Sequence, residues 1–170
     1  VTIRVAAAPV QPVDLVARSG GYLRAMLPER DFYPLGWDAA GTVEAVGDSV
    51  AHVAPGDEVV VLNHWFATMN GTQSTWTTVD AEGVARGPAG VDPATASTLP
   101  LNALTAVQAL DRLDARPGDT LAVIGAGGAV GGFALELARE RGLRAYGVAS
   151  AADEAFVSGA GAAFVERPDD

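Results

Sequence analysis

Cysteine is absent from the 170 residues, and so is lysine. The first absence removes disulfides, thiolate zinc sites, iron–sulfur clusters and cysteine nucleophiles. The second leaves arginine as the only strong base, a compositional bias to which we attach no mechanism. With two histidines, His52 and His64, the chain is also a poor basis for a metal site. No apolar run reaches the roughly 18 to 20 residues that span a bilayer, and the first residues carry no basic-then-apolar leader, so the expectation is a cytoplasmic protein without a membrane partner. A net charge of −10, spread without an acidic block, argues against nucleic acid and anionic lipid as partners. The balance of 49% hydrophobic to 19% charged residues is that of a folded chain, long enough for one good core or two small domains.

The most informative stretch is Thr120 to Arg139. Leu121 to Ile124 is an apolar run without alternation, which suits a parallel strand covered on both faces. Beyond it, Val130, Phe133, Ala134, Leu137 and Ala138 repeat at helical spacing and predict one buried helix face. Between them lie Gly125, Gly127, Gly128 and Gly131. Missing side chains there allow a sharp turn and close approach of a ligand, and the free N–H groups of the helix start would face an anion. The spelling is G-x-G-G-x-x-G, because a strict G-x-G-x-x-G would need glycine at Val130. Strand, glycine turn and helix in succession read as a dinucleotide site over Gly125, Ala126, Gly127, Gly128, Ala129, Val130 and Gly131. An ordinary tight turn is the plainer alternative.

Taken in order, the chain opens with an alternating strand at 1–5, followed by Pro9 and Pro12 and a short helix or turn at 14–18. A loop runs from Ser19 to Pro34. Short strands are expected at 41–46, 58–62 and 72–79, with 84–88 leading out of the last. The triplet Pro-Gly-Asp at 55–57 recurs at 117–119 and reads as turn punctuation. Asp92-Pro93 is a helix N-cap with proline at the first helical position; the helix extends to a break at Pro100, and a second covers 101–113 with Leu104, Val107 and Leu110 as its stripe. A strand at 143–148, a helix at 153–158 and a strand at 162–165 complete half of a doubly wound sheet.

These segments together resemble the medium-chain dehydrogenase/reductase superfamily, in its zinc-free, quinone-oxidoreductase-like branch. The resemblance rests on Val10-Gln-Pro-Val-Asp14, Leu35-Gly-Trp-Asp-Ala-Ala-Gly-Thr-Val-Glu-Ala-Val-Gly47, Pro55-Gly-Asp-Glu-Val59, Leu99-Pro-Leu-Asn-Ala-Leu-Thr-Ala106 and the glycine turn. It implies a mixed α/β fold, with a mainly β, GroES-like catalytic lobe (1–92), a helical connector (93–116) and the first half of a doubly wound Rossmann domain (117–170). The family's chains are longer, so the expectation is an incomplete portion of one. Zinc-dependent relatives place ligands at positions corresponding to Gln11, Trp37 and Leu101, none of which is a ligand of that type here, and Asp38 alone cannot hold a catalytic zinc. The implied chemistry is hydride transfer from NADPH to a small-molecule acceptor, a quinone or an α,β-unsaturated carbonyl, in a homodimer. Alternatives are an enoyl-thioester reductase unit and a nucleotide-binding scaffold without turnover.

NADPH is argued from the end of the second Rossmann strand. An acid about 20 residues past the glycines would bind the ribose hydroxyls of NAD, and Val148 to Ala152 contain none, the first acid being Asp153. Ser150 can donate to a phosphate or serve as a helix N-cap, and both readings stand; Arg144 is the nearest obvious base. The resemblance also implies Gln11, Asn102 and Thr105 beside the nicotinamide. Tyr22 is the expected proton donor or hydrogen-bonding group for the acceptor oxygen, and Tyr33, Trp37, Trp65 and Phe66 are expected to line the acceptor pocket. Asp14 reads as a structural residue tying down its turn.

Overall fold

Alternating apolar and polar residues set up β1 (Thr2–Ala7), in which Ile3 is buried and Arg4 exposed. The computed structural model describes residues 1–20 and 27–168. α1 (Pro12–Ser19) starts on Pro12, where a first-turn residue needs no N–H donor, and ends on Gly20 in the left-handed region (φ 73°). β2 (Asp38–Ala45), β3 (Glu58–Leu62), α2 (Trp65–Thr68), β4 (Trp76–Thr78) and β5 (Val84–Arg86) follow. The strands form an antiparallel sheet in the order β4-β1-β2-β3-β5. Its register sets Ile3 opposite Val43 and Ala39 opposite Val61, and these residues join Val53, Val59, Val79 and Val84 in one core.

Two strands differ from the sequence expectation. β2 begins at Asp38 rather than 41, because Asp38, Ala39 and Ala40 find ladder partners in Leu62, Val61 and Val60. The polar strand expected over 72–79 shrinks to β4, because the N–H groups of Thr72 and Gln73 bond to the carbonyls of Gly36 and Leu35 instead of to a neighbouring strand. Gly36 itself has no substitute: its φ is +110°, and a methyl group on it would lie 2.3 Å from the Thr72 hydroxyl.

α3 (Pro93–Ser97) is capped as expected, with the Asp92 carboxylate accepting from the Thr95 N–H at 3.1 Å. Pro100 is not a break. It sits in the first turn of α4 (Leu99–Asp111), where proline is tolerated, and the two helices are separated at Thr98. The buried positions of α4 are Asn102, Ala106 and Leu110, whereas Leu104 is exposed; the expected stripe is rotated because a small residue and a polar one take inward places.

The chain forms two compact units, Val1–Leu101 and Asn102–Asp170. In the second, β6 (Thr120–Ile124), α5 (Ala129–Glu140), β7 (Arg144–Ala149), α6 (Glu154–Gly159) and β8 (Ala163–Glu166) build a parallel sheet in the order β6-β7-β8. Its core contains Ala126, Leu135, Ala138, Ala145, Ala149 and Val157. The inward face of α5 is Gly131, Gly132, Leu135 and Ala138; of the predicted stripe only Ala138 is fully buried, Phe133, Ala134 and Leu137 are half-buried, and Val130 is exposed. Glycines at 131 and 132 bring the helix backbone onto its neighbours: a methyl on Gly131 would lie 2.4 Å from the Gly125 carbonyl oxygen. Among the described residues β6 pairs with β7 alone; it is partly buried at Leu121 and Val123, and Ile124 is 82% exposed. Among the described residues, no helix is long and apolar enough to cross a membrane.

Candidate functional site

Each unit carries one arrangement with chemical potential. In the first, the Gly36 turn delivers Trp37 and Asp38 to the start of β2, and both are buried. The Asp38 carboxylate accepts from the Gln11 side-chain amide, at 3.4 Å to Oδ1 and 3.2 Å to Oδ2, and from the backbone N–H of Leu101 at 3.2 Å. Its main-chain carbonyl accepts from the Thr72 hydroxyl at 2.8 Å. Burial pushes the Asp38 carboxyl up from the usual 3.8 to about 6; the Leu101 N–H and the Gln11 amide pull the other way, and nearby Asp14 adds to the rise. Asp14 ties down its turn as its position suggests, with Oδ2 accepting from the Gln11 N–H at 2.7 Å, while its buried Oδ1 has no partner among the described residues.

Gln11, Trp37 and Leu101 are the positions that the resemblance aligns with zinc ligands. Here a carboxylate gathers the same three segments: Asp38 follows Trp37 in the chain and holds Gln11 and Leu101 by hydrogen bonds. Among the described residues, no group of three or more His, Cys, Asp or Glu side chains is placed to hold a metal ion. Sequence reasoning gave Asp38 no role. The available signal was an acid at the head of an otherwise apolar strand, Asp38-Ala-Ala-Gly41.

The four aromatic residues expected to line a pocket do come together. Trp37 and Trp65 have ring centroids 4.9 Å apart, Phe66 stands edge-on to both, and Tyr33 lies 6.2 Å from Trp65. Trp65 is wholly buried, and its indole N–H is taken by the Pro34 carbonyl at 2.6 Å, so Trp65 supports the cluster from within. Phe66 is 40% exposed and supplies an open aromatic surface. Tyr22, the expected proton donor, lies outside the described residues.

In the second unit, β6 turns into α5 through Gly125, whose φ is +80°. The N–H groups of Gly125 and Ala126 both bond to the Val148 carbonyl, at 3.0 and 3.1 Å, locking the turn to β7. Gly128 caps α5 with extended backbone. The first N–H groups of any helix lack an intrahelical acceptor, and those of α5 begin at Ala129 in this turn. A methyl on Gly125 would meet nothing within 4 Å, and one on Gly128 only the Gly125 carbonyl at 3.4 Å. Open space above the turn, a bare backbone and unpaired helix N–H groups suit a dinucleotide's phosphates.

Three residues weighed for the cofactor subsite revise the sequence picture. Ser150 stands at an N-cap position but makes no capping bond; its hydroxyl donates to Asp153 Oδ2 at 2.6 Å. The Asp153 carboxyl lies directly on Gly127, where an added methyl would be 2.4 Å from Cγ. Arg144 is at the wrong end of β7: it pairs with Thr120 at the start of β6, roughly 16 Å along the strand from Ala149 at about 3.3 Å per residue. The base at the turn's end of the sheet is Arg167, whose backbone N–H bonds to the Ala149 carbonyl at 2.8 Å. Asn102 is buried on α4, and Thr105 is exposed on the same helix.

An antiparallel GroES-like sheet followed by strand, glycine turn, helix and parallel strands defines a GroES-like lobe joined to part of a Rossmann-type sheet, and residues 1–91 match the family described as the Alcohol dehydrogenase GroES-like domain. The chain belongs to the medium-chain dehydrogenase/reductase superfamily and is quinone-oxidoreductase-like. It is 38% identical over 147 residues to the pikromycin polyketide synthase component PikAII of Streptomyces venezuelae, covering 84% of this chain and 4% of that one. It is 33% identical over 151 residues to the quinone oxidoreductase of Homo sapiens, covering 88% of this chain and 44% of the relative. Among solved structures, an alcohol dehydrogenase superfamily protein from Novosphingobium aromaticivorans superposes with a TM-score of 0.89 at 34% identity, covering 98% of this chain and 50% of that one. A mycobacterial protein solved in complex with NADPH gives 0.82 at 28% identity, over 99% and 51%. The chain thus spans about half the length of these structures.

Proposed function

We propose that the chain is the part of an oxidoreductase that binds a reduced nicotinamide dinucleotide at the 125–131 turn and serves hydride transfer to a quinone or an α,β-unsaturated carbonyl. The observation that carries the proposal is the turn itself, a strand-to-helix junction whose backbone is bare at Gly125 and Gly128 and closed underneath by Gly131. When bound, the dinucleotide supplies the hydride; the protein supplies position and polarity. The turn's N–H groups hold the phosphates. Gln11, Asn102 and Thr105 are the proposed nicotinamide contacts, and Asp38 fixes the amide of the first. Tyr33, Trp37 and Phe66 shield the acceptor from water, with Trp65 behind them, and Tyr22 is the proposed donor to its oxygen.

NADPH is the proposed dinucleotide, supported by the absence of an acid before Asp153 past the second strand and by the NADPH complex of the mycobacterial relative. A metal-free reaction, a homodimer, a cytoplasmic setting and the division into lobe, connector and nucleotide domain at 1–92, 93–116 and 117–170 belong to the same proposal. Similarity to a polyketide synthase component favours a second reading, reduction of an enoyl thioester.

Titrating the chain with NADPH and NADH by calorimetry, then following loss of nicotinamide absorbance with a quinone, an enone and an enoyl thioester, tests these readings. Binding followed by oxidation with one acceptor class is the expected outcome. Binding without oxidation favours a scaffold, and no binding removes the site.

A further inference from the structure

The main-chain carbonyls from Pro34 to Asp38 each accept a hydrogen bond from one segment, residues 63–73. Pro34 accepts from the Trp65 indole at 2.6 Å, Leu35 from the Gln73 N–H at 2.8 Å and Gly36 from the Thr72 N–H at 3.2 Å. Trp37 accepts from the Asn63 N–H at 2.6 Å, and Asp38 from the Thr72 hydroxyl at 2.8 Å. The segment is itself closed by Asn63, whose side-chain amide donates to the Asn70 carbonyl and accepts from the Thr68 hydroxyl. It lies directly on 34–36, since a methyl on Gly71 would collide with the carbonyls of Pro34 and Leu35. The backbone carrying Trp37 and Asp38 is thus held by the stretch that carries Trp65 and Phe66. Thr72 contributes twice, through its N–H and its hydroxyl, on either side of Trp37.

We infer that Thr72 is a positioning residue: its hydroxyl holds the Asp38 main chain so that the Asp38 carboxylate fixes the orientation of the Gln11 side-chain amide and the place of the Leu101 N–H. The inference rests on the proposed role of Gln11 at the nicotinamide and deepens it. An ionised carboxylate accepts hydrogen bonds and donates none, so Gln11 turns its NH2 to Asp38, at 3.2 Å from Oδ2. That sense of the amide lasts while the carboxylate stays in place. The other four bonds of the clamp act on 34–37, and the hydroxyl acts on Asp38 itself. Thr72 and Asp38 are both wholly buried, so removing the hydroxyl leaves the Asp38 carbonyl short of a donor that water is not at hand to replace.

The first readout needs no turnover. Hydrogen exchange of the Gln11 side-chain amide, the Leu101 N–H and the Trp65 indole N–H is followed by nuclear magnetic resonance at a fixed pH in the unmodified chain, Thr72→Val, Thr72→Ala and Thr72→Ser. In the Val and Ala variants exchange at Gln11 and Leu101 is expected to quicken by about tenfold, while the Trp65 indole, bonded to Pro34 in the same clamp, stays within about threefold. Thr72→Ser keeps the hydroxyl and is expected to restore slow exchange. Far-ultraviolet circular dichroism checks that each variant is folded, and Thr72→Ala supplies the comparison should Thr72→Val be unstable. The second readout is single-turnover oxidation of bound NADPH by the acceptor class that the unmodified chain reduces. Its rate constant is expected to fall by about tenfold without the hydroxyl and to return in Thr72→Ser, with NADPH affinity within about threefold throughout. A fall in amplitude at an unchanged rate constant marks loss of folded chains only. An unchanged rate constant, unchanged exchange at Gln11 and Leu101, or equal acceleration at Trp65 overturns this inference alone. Failure of the unmodified chain to bind or to oxidise NADPH removes the proposed function and this inference with it.

Discussion

At Asp38 a single carboxylate crosslinks segments far apart in sequence, and its ionisation has a cost that pH exposes. Its pKa in the folded chain is about 6 against an ordinary 3.8, chiefly through burial, so the folded state binds this proton more tightly than the unfolded one. The resulting stability is fully present below about pH 3.8 and is lost as pH rises through 6; it amounts to about 3 kcal/mol at most. Asp38→Asn carries no such titration. Chemical denaturation at intervals between pH 4 and 7.5 is expected to show the unmodified chain losing stability relative to the variant across that window, and parallel curves would refute it. Glycines give a second contrast at this scale. A methyl at 131 meets backbone atoms at 2.4 and 2.7 Å, whereas one at 128 meets a single carbonyl at 3.4 Å. Gly131→Ala is expected to cost about 2 kcal/mol or more and to abolish dinucleotide binding, while Gly128→Ala keeps the fold. The glycines were legible in the sequence, because missing side chains announce close approach. The Asp38 hub and the Ser150–Asp153 pair were not: a linear pattern shows which residues are polar, and only the folded path shows which polar groups meet.

Secondary structure was legible where one residue type dictates the backbone. The Val-rich β3 fell at its expected bounds, and Asp92-Pro93 capped α3 as expected. Helix faces were misread in α4 and α5 because apolar spacing gives no weight to Asn102, Gly131 or Gly132, which occupy inward positions by being small or by being held. The unbroken apolar run of β6 records the potential to be covered, and among the described residues β7 is the one strand paired with it. At α3, the Thr95 hydroxyl and N–H hold the Asp92 carboxyl below its usual pKa. Its contribution is accordingly present above about pH 4 and lost as pH falls further. Asp92→Ala should lower the thermal midpoint at pH 7, with the difference shrinking toward pH 3.

Across the whole molecule, the two units keep separate cores: one cluster lies entirely within residues 126–162, and the others lie within residues 3–96. All three tryptophans belong to the first unit. Gly131→Ala is thus expected to shift the unfolding transition seen in far-ultraviolet circular dichroism while leaving the tryptophan-emission transition in place; coincident shifts would show that the units unfold as one. The units divide after Leu101, within α4, beyond the change in texture near residue 92 where short strands give way to helices; the hydrogen bonds that furnish each unit's site were not legible in the sequence. The aromatic cluster beside Asp38 has one more property. Trp37 and Trp65, with centroids 4.9 Å apart and rings inclined by 31°, are close enough to share electronic excitation. Two bands of opposite sign in the near-ultraviolet dichroism, lost when either ring becomes phenylalanine, give the first unit an intrinsic optical gauge of whether the ground beneath its buried carboxylate is intact.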